Sequence, residues 1–164
     1  MKPVSHTLTY PDTTVADVYA MLGDPAYRQA VGEYQHVQDF SCEFTPTGDG
    51  MEVRLEQAHG TSRIPSFAQR LVGHEIRFVQ KESWHSPTSA EIHVTIPGKP
   101  GEMTGGETLT QAGADVVQQV DLAVTVSIPL VGGKVEDLVA GFLGKAFEAE
   151  NKVGVKWLKG EWRV

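Results

Sequence analysis

A chain of 164 residues with no linker-like stretch reads as one domain over 1–164. A domain of that size buries about 70% of the surface its unfolded form exposes, so it needs no disulfide or metal staple. Its 40% apolar and 21% charged residues are those of a soluble globular protein, and a formal net charge of −7 excludes the basic face that nucleic acid or a stable anionic-membrane contact requires.

Val4 to Tyr10 alternate weakly and end at Pro11, which predicts a first strand. Thr14 stands three before Asp17, a capping pair, and Val15, Val18, Tyr19 and Leu22 form a helical face that stops at Gly23. Asp24-Pro25 then caps and opens a second short helix that ends near Gly32. From Val37 the period becomes two: Phe40, Cys42 and Phe44 share a face, Pro46 to Gly50 make the turn, and Met51, Val53 and Leu55 return on the same face. Ser62 to Gly73 breaks the pattern and reads as a short helix or ordered loop. Further strands follow at Ile76 to Trp84, Ala90 to Ile96, Met103 to Leu109 and Val116 to Ile128, separated by Pro- and Gly-containing turns. That makes seven antiparallel strands.

The last stretch, from Gly132-Gly133 to Lys159, predicts one long helix. At about 100° per residue, Val135, Leu138, Val139, Phe142, Leu143, Ala146, Ala149, Val153 and Trp157 fall in an arc of roughly 140°. Asp137, Gly141, Gly144, Glu148, Asn151 and Lys152 take the other side, which is expected to be solvated. A helix of this length runs roughly 40 Å and needs an extended partner, which only the strands supply. The fold class is therefore α+β, a curved sheet clasping a long C-terminal helix.

This order of elements resembles the helix-grip fold of the START-like superfamily, whose members include relatives of the birch-pollen allergen and of polyketide cyclases. The particular stretches Tyr10-Pro11, Leu22-Gly23-Asp24-Pro25, Ile64-Pro65 with Gly73, Gln80 to Trp84, and Ile128 to Glu136 with Gly154 and Trp157-Leu158 resemble an actinobacterial family within it, domain of unknown function 2505. The resemblance implies a cavity between sheet and long helix. It brings no activity and no catalytic residue.

Several polar residues share the parity of the apolar strand faces: Gln57 and His59, Gln80 and Glu82 with Trp84, Glu107, and Gln118. The simpler expectation is that strands outrun the helix and these ends meet water; the other is a partly polar pocket for a mainly apolar ligand. Glu150 projects within the helix's apolar arc, where it either snorkels to a surface cation or stands in a cavity with a raised pKa. Trp84 and Trp157 are expected to pack in the core, or to wall the pocket. Register matching pairs Phe44 with Val53, Cys42 with Leu55 and Gln38 with His59, which leaves Cys42 and His59 about 13 Å apart. That rules out a nucleophilic dyad, and Cys42 reads as a core thiol. The six histidines form no metal-binding pattern, so neither metal nor cofactor is expected. Glu136 is expected to place its charge at the long helix's start, and Gly141 and Gly144 have no packing reason.

The leading expectation is a protein that binds a small apolar or amphipathic molecule in that cavity. Its walls are expected at Leu55, Gln57, Phe78, Gln80, Glu82, Trp84, Val139, Phe142, Leu143, Glu150 and Trp157, with a rim at Ser62 to Pro65 and Pro97 to Gly101. A second reading is an enzyme in the manner of the superfamily's cyclases and hydratases, with Glu82, His59 or Glu150 as acid or base; it is less favoured because it needs at least two such groups converging on one cavity. A third is a protein-interaction module whose cavity its own side chains fill; a pocket under roughly 300 Å³ favours it. The start, Met1 to His6, lacks a signal peptide's apolar core, no run spans a bilayer, and Cys42 is alone, so a cytoplasmic location is expected. No oligomeric state is read.

Overall fold

Period-two strands joined by short turns pair with their neighbours in sequence, and the chain follows that rule everywhere but at its start. The computed structural model describes residues 1–162. In chain order the elements are β1 (Lys2–Tyr10), α1 (Val15–Leu22), α2 (Pro25–Tyr34), β2 (Gln38–Thr47), β3 (Gly50–Gly60), α3 (Ser66–Val72), β4 (Glu75–Ser86), β5 (Ser89–Thr95), β6 (Gly101–Ala112), β7 (Asp115–Val126) and α4 (Gly132–Leu158). One seven-stranded antiparallel sheet runs β1-β7-β6-β5-β4-β3-β2. Because β1 pairs with β7, the α1–α2 pair has to carry the chain from one edge of the sheet to the other.

Local chemistry sets the boundaries. Thr14 Oγ1 accepts from the Asp17 N–H at 3.2 Å to start α1, and Asp24 Oδ1 accepts from the Ala26 N–H at 2.9 Å to start α2 behind Pro25. In the first hairpin Phe44 faces Val53 and Cys42 faces Leu55, as the apolar parity requires. A bulge between Gln38 and Ser41, with Asp39 at φ 52°, then moves Gln38 from His59 to Ala58.

The grip buries more of α4 than a 140° stripe. Phe147, outside the predicted arc, is buried together with Val139, Ala149 and Val153. A curved sheet flanked by α1 and α2 touches the helix on three sides, whereas a flat sheet would touch one. Two residues expected on a wet face are therefore in contact: Asn151 Nδ2 donates to the Thr9 carbonyl at 2.9 Å, and a Cβ on Gly144 would lie 3.4 Å from the His6 ring. Gly141 alone of that glycine pair faces open space.

Two other glycines allow close approach. A Cβ at Gly132 would stand 2.7 Å from the Val126 carbonyl oxygen, so the turn from β7 into α4 closes only on glycine. A Cβ at Gly154 would stand 2.7 Å from the Tyr10 ring and 3.1 Å from Met21, so glycine lets α4 seat against β1 and α1. Glu136 is buried, not presented at the helix start as expected: its Oε2 accepts from the Val126 N–H at 2.9 Å, and that bond holds its pKa down.

Candidate functional site

Alternation along β4 sends Gln80, Glu82 and Trp84 to the inner face, and their strand is central enough that they are covered. The expectation that such polar residues run out into water fails there. Glu82 is 1% exposed, Glu107 5% and Gln118 0%, and each is satisfied from inside. Arg28, on α2, reaches across the interior and binds Glu82 with two hydrogen bonds of 2.9 Å, Nη1 to Oε2 and Nη2 to Oε1. Its Nε donates to the Leu22 carbonyl at 2.8 Å. Trp84 Nε1 donates to Glu82 Oε1 at 3.0 Å and Gln80 Nε2 to Oε2 at 2.7 Å. Burial alone would raise the Glu82 pKa, but the Arg28 charge and these donors more than offset it and hold the carboxyl below its usual range.

A second buried set lies alongside, where Gln118 on β7 acts as hub. Its Oε1 accepts from the Tyr10 hydroxyl at 2.9 Å, and its Nε2 donates to Glu107 Oε2 at 2.9 Å and, at 3.4 Å, to Glu150 Oε1 on α4. The Tyr27 hydroxyl donates to the Glu150 carbonyl at 2.9 Å, which pins that turn of α4 against α2. Burial, reinforced by the neighbouring charges of Glu82 and Glu150, raises the Glu107 pKa well above the carboxylate range. Glu150 is raised to about 7: burial pushes it up and Glu82 adds to that, while Arg28 and the Gln118 hydrogen bond pull the other way.

Between α4 and the sheet two chambers open, sharing Leu55, Gln57, Gln80, Leu143 and Ala146. The one nearer the middle of α4 has a volume of about 50 Å³; its walls are Leu55, Phe78, Val94, Val139, Phe142 and Leu143, with Gln57, His59 and Gln80 as polar points. Gln57 Nε2 and His59 Nε2 are 3.2 Å apart, and burial lowers the His59 pKa. The second, about 60 Å³, lies between α2 and α4, where Tyr27, Arg28, Phe40, Phe147 and Glu150 surround it. One turn nearer the start of α4, an apolar outer cleft of about 290 Å³ lies between Leu71 and Val72 of α3, Lys99 to Gly101, and Val126, Ile128 and Val135. Pro97 to Gly101 lines outer clefts that share no residue with the two chambers, and Ser62 to Pro65 lines none of these spaces.

Eight of the predicted wall residues meet at the chambers: Leu55, Gln57, Phe78, Gln80, Val139, Phe142, Leu143 and Glu150. Three do not. Glu82 and Trp84 are sealed beneath the wall by their own hydrogen bonds, and Trp157 packs edge-on against the Tyr27 ring at 5.8 Å, behind the chamber. Arg28, Phe40 and Phe147 were not predicted. Phe40 shares the parity of Cys42 and so carried a signal; Arg28 carried none, since its partner is 54 residues away. Among the described residues no group of three or more His, Cys, Asp or Glu side chains is placed to hold a metal ion. Cys42 is half-buried, and burial raises its thiol pKa to about 11, which keeps it a protonated packing residue.

Residues 5–158 match the family described as protein of unknown function, DUF2505. No curated protein matches the chain in sequence. Among solved structures, TTHA0849 from Thermus thermophilus superposes with a TM-score of 0.68 at 14% identity over 99% of this chain and 100% of that one. A START superfamily protein from Mycobacterium smegmatis gives 0.59 at 16% identity, over 96% and 97%. The di-domain ARO/CYC StfQ from the steffimycin biosynthetic pathway gives 0.61 at 11% identity, over 96% of this chain and 51% of that one, so the chain spans about half of the two-domain protein. These likenesses establish the START-like fold. Among the described residues no helix is long and apolar enough to cross a membrane.

Proposed function

The chain belongs to the DUF2505 family, whose description carries no activity, and from its own geometry we propose that it binds a small, mainly apolar molecule between the sheet and α4. The observation that carries this reading is the pair of adjoining chambers: they share Leu55, Gln57, Gln80, Leu143 and Ala146, each adds aromatic side chains of its own, and Glu150 joins the polar groups in the second. A fully packed core would have closed over these residues, as it does over Glu82 and Gln118 a few ångströms behind them. The neighbouring structures of START and ARO/CYC proteins support the reading by analogy of fold only.

Chambers of about 50 and 60 Å³ bound the ligand: they hold its polar end and a short apolar segment, and anything longer extends toward the apolar cleft at the start of α4. The size also supports the third reading, an interaction module with a filled interior, and a single experiment separates the two. Native mass spectrometry of the purified protein is expected to show an excess mass that vanishes on denaturation, and its organic extract gives the ligand class. Ala146 lines both chambers, so Ala146→Phe is expected to abolish that mass while the fold persists by circular dichroism. A bare mass, with no amide shifts around Ala146 on adding short apolar compounds, would remove the binding reading. An enzymatic reading rests on Glu150, whose carboxyl titrates near neutrality at the chamber wall; it requires that the extract contain a substrate and product related by proton transfer.

A further inference from the structure

The chamber between α2 and α4 has a chemistry of its own, and a ligand preference assigned to it rests on the binding reading above. Its one cation is Arg28, whose charge is paired with Glu82: of its five N–H groups two bind Glu82 and a third binds the Leu22 carbonyl. No lysine lines it. The Glu150 carboxyl, by contrast, has among the described residues only the 3.4 Å hydrogen bond from Gln118, and it forms part of the wall. The groups facing Glu150 come from every surrounding element: Tyr10 on β1, Tyr27 and Arg28 on α2, Glu82 on β4, Glu107 on β6 and Gln118 on β7. Arg28 is paired with Glu82, burial raises the pKa of Glu107 and of both tyrosines, which favours their neutral forms, and Gln118 carries no charge. The sign of the chamber is therefore the sign of Glu150. Tyr27, Phe40 and Phe147 line the same chamber as Glu150, and aromatic walls in a space that holds a carboxylate are the surroundings an organic cation prefers.

We propose that this chamber selects a protonated amine on an apolar body, its ammonium against Glu150 and among these rings, over an alcohol or a carboxylate of the same skeleton. An ammonium gains a charge-assisted hydrogen bond and the aromatic faces at once. An alcohol gains only a neutral hydrogen bond. A carboxylate meets a like charge in a space whose one cation is already paired with Glu82, which costs more the better water is excluded. Since Glu150 has to be ionised to act, affinity for the ammonium rises with pH through about 7, while an uncharged ligand is indifferent.

The test titrates the full chain and its Glu150→Gln variant with hexylamine, 1-hexanol and hexanoate at pH 6 and pH 8, following the amide shifts of Phe40, Ala146 and Phe147 by NMR. Hexylamine is expected to bind tightest at pH 8 and about tenfold more weakly at pH 6, the ratio of ionised Glu150. In Glu150→Gln that tenfold difference disappears, and unchanged 1-hexanol binding reports that the chamber is still formed. Hexanoate binding as tightly as hexylamine overturns the proposal and makes Arg28 the anchor. Hexylamine affinity that Glu150→Gln leaves unchanged also overturns it. If 1-hexanol binds and hexylamine does not, the amine preference falls and the cavity reading stands; if none of the three binds, both fall.

Discussion

Two carboxylates occupy facing walls of one interior, Glu82 on β4 and Glu150 on α4, and their surroundings drive them in opposite directions. Glu82 receives four hydrogen bonds, two from Arg28 and one each from Trp84 and Gln80, and stays ionised below the usual range. Glu150 receives one long bond from Gln118 and is raised to about 7. The Glu82 carboxylate is finished structure: both its oxygens are met by donors from inside and neither lines a chamber. The region around Glu150 is underfilled, with lone pairs and apolar surface still to be met. The residue type is the same and each carboxyl is on the inward side of its element, so the number of donors supplied by other elements separates scaffold from site.

The comparison breaks most visibly at Arg28. Arg28→Met leaves Glu82 buried without its cation and is expected to cost about 3–5 kcal/mol in urea unfolding at neutral pH, with most of that recovered in the double variant Arg28→Met with Glu82→Met. A loss below about 1 kcal/mol would mean that water reaches Glu82 after all. Next in size, Gly154→Ala forces a methyl to 2.7 Å from the Tyr10 ring and is expected to cost about 1–3 kcal/mol despite alanine's better helix propensity.

The pH dependence sharpens the contrast because the two carboxyls have opposite signs. Glu82, lowered in the fold, stabilises above the ordinary carboxylate pKa of 4.5, and that contribution is lost as pH falls through its folded value. Glu150, raised from 4.5 to about 7, binds more protons folded than unfolded between those values, so its contribution falls as pH rises across that window and then levels. Unfolding measured from pH 4 to 8 is expected to flatten over this range in Glu150→Gln, with a gain on the order of 1 kcal/mol above pH 7, after allowance for the cavity's solvation of the carboxyl. Any remaining fall belongs to Glu107, whose shift has the same sign. The smallest effect is at Gly141, which meets open space: Gly141→Ala is expected to gain up to about 1 kcal/mol from helix propensity alone, and a loss there would reveal a contact on that face.

Much of this architecture was legible because it rests on local chemistry. Thr14 and Asp24 announce their helices by capping, and Phe44 opposite Val53 follows from parity and a short turn. Of the interior, Leu55, Gln57, Phe78, Gln80, Val139, Phe142, Leu143 and Glu150 could be placed on inward faces because strand and helix periods dictate direction. Those periods are silent on what stands opposite. Glu82 and Gln80 share a parity, yet one is sealed and the other lines both chambers, since Arg28 arrives at Glu82 from a helix 54 residues away.

By itself, then, the amino-acid order determined the seven strands, the capped short helices, the long helix and the central part of its inward face, all consequences of interactions within a few residues. Only the tertiary structure decided that α4 is gripped on three sides, bringing in Phe147, Gly144 and Asn151, and that Arg28 neutralises Glu82 while Glu150 is left facing the chamber. The reason is geometric: sheet curvature and the path of the α1–α2 connection determine which distant side chains share a space, and a charge buried there takes its protonation state from those neighbours.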